Sequence, residues 1–398
     1  MGTNPTRLSR WFSTFVAAWL GMRLLQSKES KAFVETIPVK SNVPPGVGTE
    51  TVVFAGRTLD LSLFAVTRAV DVIVGELWSR RRARQTALQQ WTKVSDPPPC
   101  WASRIPDACG DANWLCQAES LVSRLTDSSV FAMSCALIMW SWIYHPARLP
   151  RSYNKWIASA AAVDPRLIEA LQRCRKREIV YGEDTGQAPL LQAMCADYKW
   201  PIEWGDPAKA IPFPCEMVHM GCGPSCEYHA LHRFYRSFLW SMATYLPLNL
   251  VLLLRKPTSK GLLRALVSAA RSSTFLSAFI SLFFYGVCLA RTRLGPRILG
   301  EHRVDRQRID GGICVGSGCA LCGWSVLFEN AGRRKDMALF VAPRALATLL
   351  PRRYSLDKQW RETLVFATST AVVFTCAKEN KSRVRGVLGN VLGTVLEG

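Results

Sequence analysis

The sequence predicts an all-α, multi-pass integral membrane protein with roughly six to eight membrane helices in two unequal repeats. Three observations carry that expectation. Long apolar runs recur at 237–254, 261–290, 311–328 and 363–376, with basic clusters such as Arg255/Lys256, Arg333–Lys335 and Arg352/Arg353 between them. Apolar runs with charged flanks suit the hydrocarbon layer of a bilayer. The net charge of +20 is spread through the inter-segment loops rather than along one stripe interleaved with aromatics. That distribution argues against nucleic acid as a partner and for the lipid bilayer, with anionic lipids at the helix ends. Finally, two blocks of sequence occur twice in the same order.

Residues 1–56 form the first section. Arg7 and Arg10 precede an apolar patch, Trp11–Leu25, and the first 28 residues hold no acid. A signal sequence, an organellar targeting helix and a short first membrane helix all share this pattern, although no cleavage-site pattern follows the patch.

The first repeat occupies 57–144. On a helix at 100° per residue, Arg57, Asp60, Thr67, Arg68 and Asp71 fall within an arc of about 100°. Leu59, Leu63, Val66, Val70, Ile73, Val74 and Leu77 take the other side. Charges facing lipid cost several kcal/mol, so a narrow charged stripe is expected to face protein, water or its own members. An amphipathic helix lying on the membrane surface has the same spacing. The block RTLDLSLFAVTRAV (57–70) returns as RRKDMALFVAPRAL (333–346), pairing Arg57 with Arg333, Asp60 with Asp336 and Arg68 with Arg344. Asp71 is matched by Ala347. VFAMSCA (130–136) then returns as VFATSTA (365–371), in the same order. Duplication of this kind is common among membrane proteins that pass solutes. Helices are expected at 57–77 and 129–144 in the first repeat. The second membrane bundle, 237–378, adds 335–350 and 363–376 as their counterparts. A polar insertion at 78–128, with RRRAR (80–84), Pro97–Pro99, Cys100, Cys109 and Cys116, reads as a solvent loop.

The segment 145–236 is the longest polar stretch and ends in PCEMVHMGCGPSCEYHALHRF (214–234). Thiolate and imidazole are the ligands Zn²⁺ prefers. The candidate set is Cys215, His219, Cys226 and His229, with His232 an alternative, and Zn²⁺ is the cofactor it would take. The spacing matches no standard zinc finger. Ordinary packing of small buried thiols and a Cys215–Cys226 disulfide remain the competing readings.

With the HPARLPRSYNKWI run (145–157), the CEMVHMGCGPSCEYHALHRF stretch and GWSVLFENAGRRKDMALFVAPRAL (323–346) in view, the chain resembles the transmembrane protein 135 family, a peroxisomal membrane protein family. The resemblance covers most of residues 50–380, and the Cys/His stretch corresponds to that family's cysteine-rich domain. The second half is also distantly similar to the four-helix channel subunits of mitochondrial inner-membrane translocases. The resemblance implies an integral membrane protein of peroxisomes and/or mitochondria that supports organelle dynamics and lipid metabolism, with organelle-division or import proteins as partners. Two versions of the function follow. In the transport version the stripe of Arg57, Asp60, Arg68, Asp71, Arg333, Asp336 and Arg344 lines a polar path. In the scaffold version the stripe only pairs helices, and the Cys/His domain recruits partners.

The remaining signals are weaker. Gly312, Gly316 and Ala320 lie four apart in GGICVGSGCALCGW (311–324), a spacing that lets helix backbones approach closely. No strand precedes this run and no Lys-Ser/Thr follows it, which excludes a phosphate loop. The tail 379–398 reads as a marginal amphipathic helix. There is no HExxH and no GxSxG, and no catalytic constellation is expected: the chain is read as a non-enzyme.

Overall fold

The computed structural model describes residues 5–28, 33–38, 49–94, 110–253 and 258–379, with a few positions of the tail between 383 and 394. Cys100, Cys109, Pro97–Pro99 and most of the tail helix lie outside the described residues. The chain is mostly helical, as the apolar periodicity requires. In order it runs α1 (Pro5–Gln26), β1 (Val34–Pro38), β2 (Thr49–Ala55), α2 (Leu59–Val94), α3 (Gly110–Tyr144), α4 (Arg151–Ala161), α5 (Pro165–Lys176), α6 (Ala188–Tyr198) and α7 (Cys215–His219). It continues with α8 (Cys226–Leu253), α9 (Ser259–Leu289), α10 (Gly295–Leu299), α11 (Arg303–Arg308), α12 (Cys314–Cys322), α13 (Ala331–Leu349), β3 (Tyr354–Ser355) and α14 (Gln359–Glu379). Helix persists through much of the insertion read as solvent loop: α2 runs on to Val94, and α3 opens at Gly110. Three short strands, absent from the all-α expectation, pair antiparallel in the order β1-β2-β3.

The chain divides into two compact units, 1–127 with 335–398, and 128–334. In the first, α1 and α2 pack on α14. Ala69 and Val72 of α2 meet Val373 and Ala377 of α14, and Leu59 and Leu63 meet Ala347 of α13. Gly56 ends β2 at φ 115°, and a Cβ there would lie 2.2 Å from the Arg352 carbonyl oxygen, so only glycine fits. Glu362, buried on α14, accepts hydrogen bonds from Thr58 (2.5 Å), Ser62 (3.2 Å) and the Tyr354 hydroxyl.

In this unit α2 buries apolar and charged side chains together: Leu59, Leu63, Ala69 and Val72 are at most 9 % exposed. Arg68 and Asp71 are only 7 % and 9 % exposed, while Val70, Ile73, Val74 and Leu77 are 46–62 % exposed. An exposed aliphatic face beside two buried charges is an arrangement that hydrocarbon surroundings favour.

In the second unit α8 packs along α9, and α9 along α12. Thr258 caps the start of α9 by accepting from the Gly261 amide at 3.1 Å. In the 145–236 segment Ile179, Tyr181, Leu191, Met194, Phe213 and Met217 are almost wholly buried. Asp164 caps α5 by accepting from the Arg166 amide at 2.9 Å.

Two stretches among the described residues, Ser259–Leu299 and Arg303–Phe328, are long and apolar enough to cross a membrane. About half of each apolar window is buried within the protein, and core helices of soluble proteins pass the same test. The expected runs at 237–254 and 363–376 fall on α8 and α14, which do not reach that standard.

Candidate metal centre

The strongest constellation of side chains lies where the 145–236 segment meets the α8–α9 hairpin. Cys215 and His219 are the first and last residues of α7, four apart and so on one face of a single helical turn. The chain then reverses through Met220, Gly221 and Gly223, all at positive φ, and re-enters helix at Cys226, the first residue of α8. The fourth group is Cys288, one residue before the end of α9.

The ligand atoms of Cys215, His219, Cys226 and Cys288 all lie within 4.8 Å of one another. Cys215 Sγ is 3.9 Å from Cys226 Sγ and 3.7 Å from Cys288 Sγ. His219 Nε2 is 3.6 Å from Cys215 Sγ and 3.4 Å from Cys288 Sγ. A tetrahedron has edges about 1.6 times its centre-to-vertex distance. Zn–S bonds of about 2.3 Å and Zn–N bonds of about 2.0 Å therefore call for S···S edges near 3.8 Å and S···N edges near 3.5 Å. Four of the six separations match these edges, and the two others, from Cys226 to His219 and to Cys288, are within 4.8 Å. A disulfide would need its sulfur atoms about 2.05 Å apart, and Cys215 and Cys226 are well beyond that.

The surroundings suit a cation. His219 Nδ1 is 2.7 Å from the Gly223 carbonyl oxygen. The Nδ1–H tautomer donates that bond and leaves Nε2 as the lone-pair donor, the usual outer-shell device for a metal-bound histidine. The Cys215 thiol is pushed down to about 4, chiefly by the hydrogen bond it shares with the Cys288 thiol, against the effect of burial, with His219 and Arg291 adding to the shift. Burial works against protonation of His219, but its bonds to Cys215 and Gly223 outweigh that and hold its pKa up. Burial, and then the charge on Cys215, push Cys226 up. Thiols that repel one another's negative charge are the groups a divalent cation relieves.

Behind the cluster stands a buried ion pair. Arg291 donates through Nε to Asp310 Oδ1 at 2.6 Å and through Nη2 to Asp310 Oδ2 at 3.0 Å and to the Phe213 carbonyl at 2.9 Å. Both side chains are at most 3 % exposed. The Tyr181 hydroxyl donates to Asp310 at 2.5 Å. These bonds fix Phe213, two residues before Cys215, to the end of α9 that carries Cys288.

Three of the four expected ligands are therefore together, and the fourth is replaced. His229 points its ring at His219, stacked with centroids 4.6 Å apart, and is not among the four. Burial, and then the charges of His219 and Arg233, push its pKa down to about 3, so the ring is neutral at pH 7. Both of its ring nitrogens are buried without a hydrogen bond.

The other expected site residues scatter. Arg57 donates to the Lys28 and Leu25 carbonyls, both at 2.7 Å, and so closes the C-terminal end of α1. Asp60 pairs with Arg352 at 3.2 Å. Arg333 donates to Ser272 and Ser268 at 2.9 and 2.8 Å, and Asp336 is half-buried. The matched blocks share one contact: Arg68 lies 5.2 Å over the Phe64 ring, and Arg344 lies 5.3 Å over the Phe340 ring.

The close helix approach expected at Gly312, Gly316 and Ala320 is made elsewhere. Gly312 sits at φ 152° in a kink, a Cβ on Gly316 would meet only Trp140 at 3.8 Å, and Ala320 is exposed. Gly318 and Gly286 instead bring α12 and α9 together, and a Cβ on Gly286 would lie 2.8 Å from Gly318 Cα.

Three cysteines and one histidine with ligand atoms this close could hold a metal ion, in a four-coordinate arrangement of the structural type. No family model, curated protein or solved structure matches the chain.

Proposed function

We propose that the protein is a membrane-bound scaffold of an organelle, in which Zn²⁺ held by Cys215, His219, Cys226 and Cys288 fastens the 145–236 domain to the α8–α9 hairpin. The observation that carries this reading is the ligand geometry: four ligand atoms within 4.8 Å of one another, with four of their six separations at tetrahedral edge lengths, two atoms from one turn of α7 and one each from α8 and α9. A site closed by four protein ligands leaves no position for a substrate, which favours a structural over a catalytic role. Membrane residence is supported by the two apolar stretches and by the exposed aliphatic face of α2. The family resemblance adds the organelle, peroxisomal or mitochondrial, and a role in organelle dynamics and lipid metabolism. Partners of the division or import machinery would dock on the 145–236 domain.

Scaffolding is preferred to solute passage because the charged stripe does not act as one line. Arg57 caps a helix, Asp60 takes Arg352, and Arg68 is buried. The 760 Å³ groove of the first unit is lined by Trp11, Ile73, Glu76, Arg80, Glu379 and Arg383 among others, and neither Arg68 nor Arg344 lines it.

Elemental analysis of the detergent-purified full chain tests the centre. One zinc per chain is expected, reduced at least tenfold in Cys288→Ser and Cys215→Ser and retained in Cys222→Ser, a neighbouring thiol outside the set. Wild-type protein without stoichiometric zinc, or equal loss in Cys222→Ser, would overturn the proposal.

A further inference from the structure

A second feature of the 128–334 unit is a groove of about 590 Å³ between the end of α5 with the turn after it, and α11 with the kink that follows. Four arginines line it, Arg175, Arg177, Arg303 and Arg308, with Glu183 as the acidic member. Two of them are seated by glycines. A Cβ on Gly312 would lie 2.7 Å from Arg175 Nη1, and one on Gly182 would lie 2.6 Å from the Arg303 side chain. Both glycines have positive φ, and any other residue would push the guanidinium away. Arg175 is further held by stacking 4.6 Å over Trp140 and by donating to the Gly311 carbonyl at 3.3 Å.

The floor of the groove is already satisfied. Gln307 donates to the Cys174 and Ile179 carbonyls at 3.1 and 2.9 Å and accepts from the Tyr181 amide at 3.0 Å. Binding therefore falls to the arginines. Their local pairs are long and exposed: Arg303 to Glu183 at 4.0 Å, and Arg308 to Asp305 at 3.7 Å. Such pairs hold little free energy against a competing anion. Guanidinium forks match the oxygen geometry of a phosphate better than any other side chain does.

The wall also carries apolar surface. Val304 and Ile313 line the groove and are 59 % and 44 % exposed. Arg303 opens the second of the two apolar stretches, and Ile313 lies ten residues further along it. A cluster of arginines at the mouth of an apolar helix, with bare aliphatic side chains beside it, fits a ligand that is anionic at one end and hydrocarbon at the other.

We propose that this groove binds the phosphate headgroup of an anionic phospholipid, with the arginines on the phosphate and Val304 and Ile313 against the first carbons of the acyl chains. The proposal rests on the membrane association argued above. It is tested in micelles, so that its failure is separable from failure of the helices to span or of the zinc centre to load.

The experiment measures retention of labelled dioleoyl phosphatidic acid by the full chain in a non-ionic detergent. The competitors are dioleoyl phosphatidylcholine and inorganic phosphate, and circular dichroism checks that each variant keeps its helix content. Wild-type protein should retain phosphatidic acid at least tenfold more tightly than phosphatidylcholine. Arg303→Gln with Arg308→Gln should weaken it about tenfold per arginine, the usual scale for a charge-assisted hydrogen bond. The charge-matched control Lys209→Gln with Arg236→Gln, outside the groove, should leave retention unchanged. Equal weakening by both pairs would reduce the effect to net charge and overturn the site. Displacement of the lipid by millimolar phosphate would assign the groove to a free anion and overturn the lipid. Equal retention of the two lipids would do the same.

Discussion

Cys288 sits in an apolar helix, where a thiol is by default a small buried side chain. Its ligand role arises only in three dimensions, 73 residues after Cys215 and 69 after His219. The dense run at 214–234 makes Cys215, His219 and Cys226 legible, because residue type and local turns suffice to bring them together. His229 is three residues past Cys226 on the same helix and shares its face, but its ring stacks on His219 and is not among the four converging groups. One clue to Cys288 is present in the sequence: Arg291 and Arg293 follow it and mark the end of the apolar run, level with the Cys/His segment. The buried pair behind it carries a prediction. Asp310→Asn leaves Arg291 without the carboxylate that pairs with it in a site at most 3 % exposed, and should cost about 3–5 kcal/mol. Arg291→Met with Asp310→Leu removes both charges and should cost markedly less. Chemical denaturation of the two variants checks the order. A single variant no less stable than the double would show that the pair is not the anchor described here.

Among the elements, α12 shows how a local kink redirects a motif. The spacing Gly312-x3-Gly316 presumes one continuous helix, but Gly312 at φ 152° breaks the phase, and the packing face passes to Gly318. Gly286→Ala should therefore destabilise by about 1–3 kcal/mol, because its Cβ would meet the Gly318 backbone at 2.8 Å. Gly316→Ala meets nothing closer than 3.8 Å and should be neutral or stabilising by about 0.5–1 kcal/mol through helix propensity. Thermal midpoints of the two variants decide it, and equal shifts would return the packing role to the 312–316–320 stripe. The insertion at 78–128 was harder to read. Its charge and prolines argue for loop, yet α2 runs through the arginines as far as Val94, because Arg, Ala, Leu and Gln are all good helix formers. Periodicity located the long helices well, since α1, α2, α9, α13 and α14 overlap the expected segments. It could not supply β1 to β3, whose pairing includes two residues near position 355 with two near position 55.

For the whole molecule, the two units cut across the linear order of the repeats: residues 335–398 belong with 1–127. A duplication read along the chain does not reveal which copies share a core, because that depends on contacts between distant helices. The two apolar stretches and the exposed aliphatic face of α2 predict that the full chain stays in the membrane pellet after alkaline carbonate extraction. Release into the supernatant would make the two apolar stretches core helices of a peripheral protein. The proposed metal centre would also set an order of events during synthesis. At about 5–20 residues per second, Cys288 leaves the ribosome several seconds after Cys215. Until then only three ligands exist, and the Cys/His segment can hold an ion loosely at best. Tight capture of the ion thus marks the moment when α9 has been made and folded back against α8, and a nascent chain stalled before Cys288 remains chemically distinguishable from a finished one.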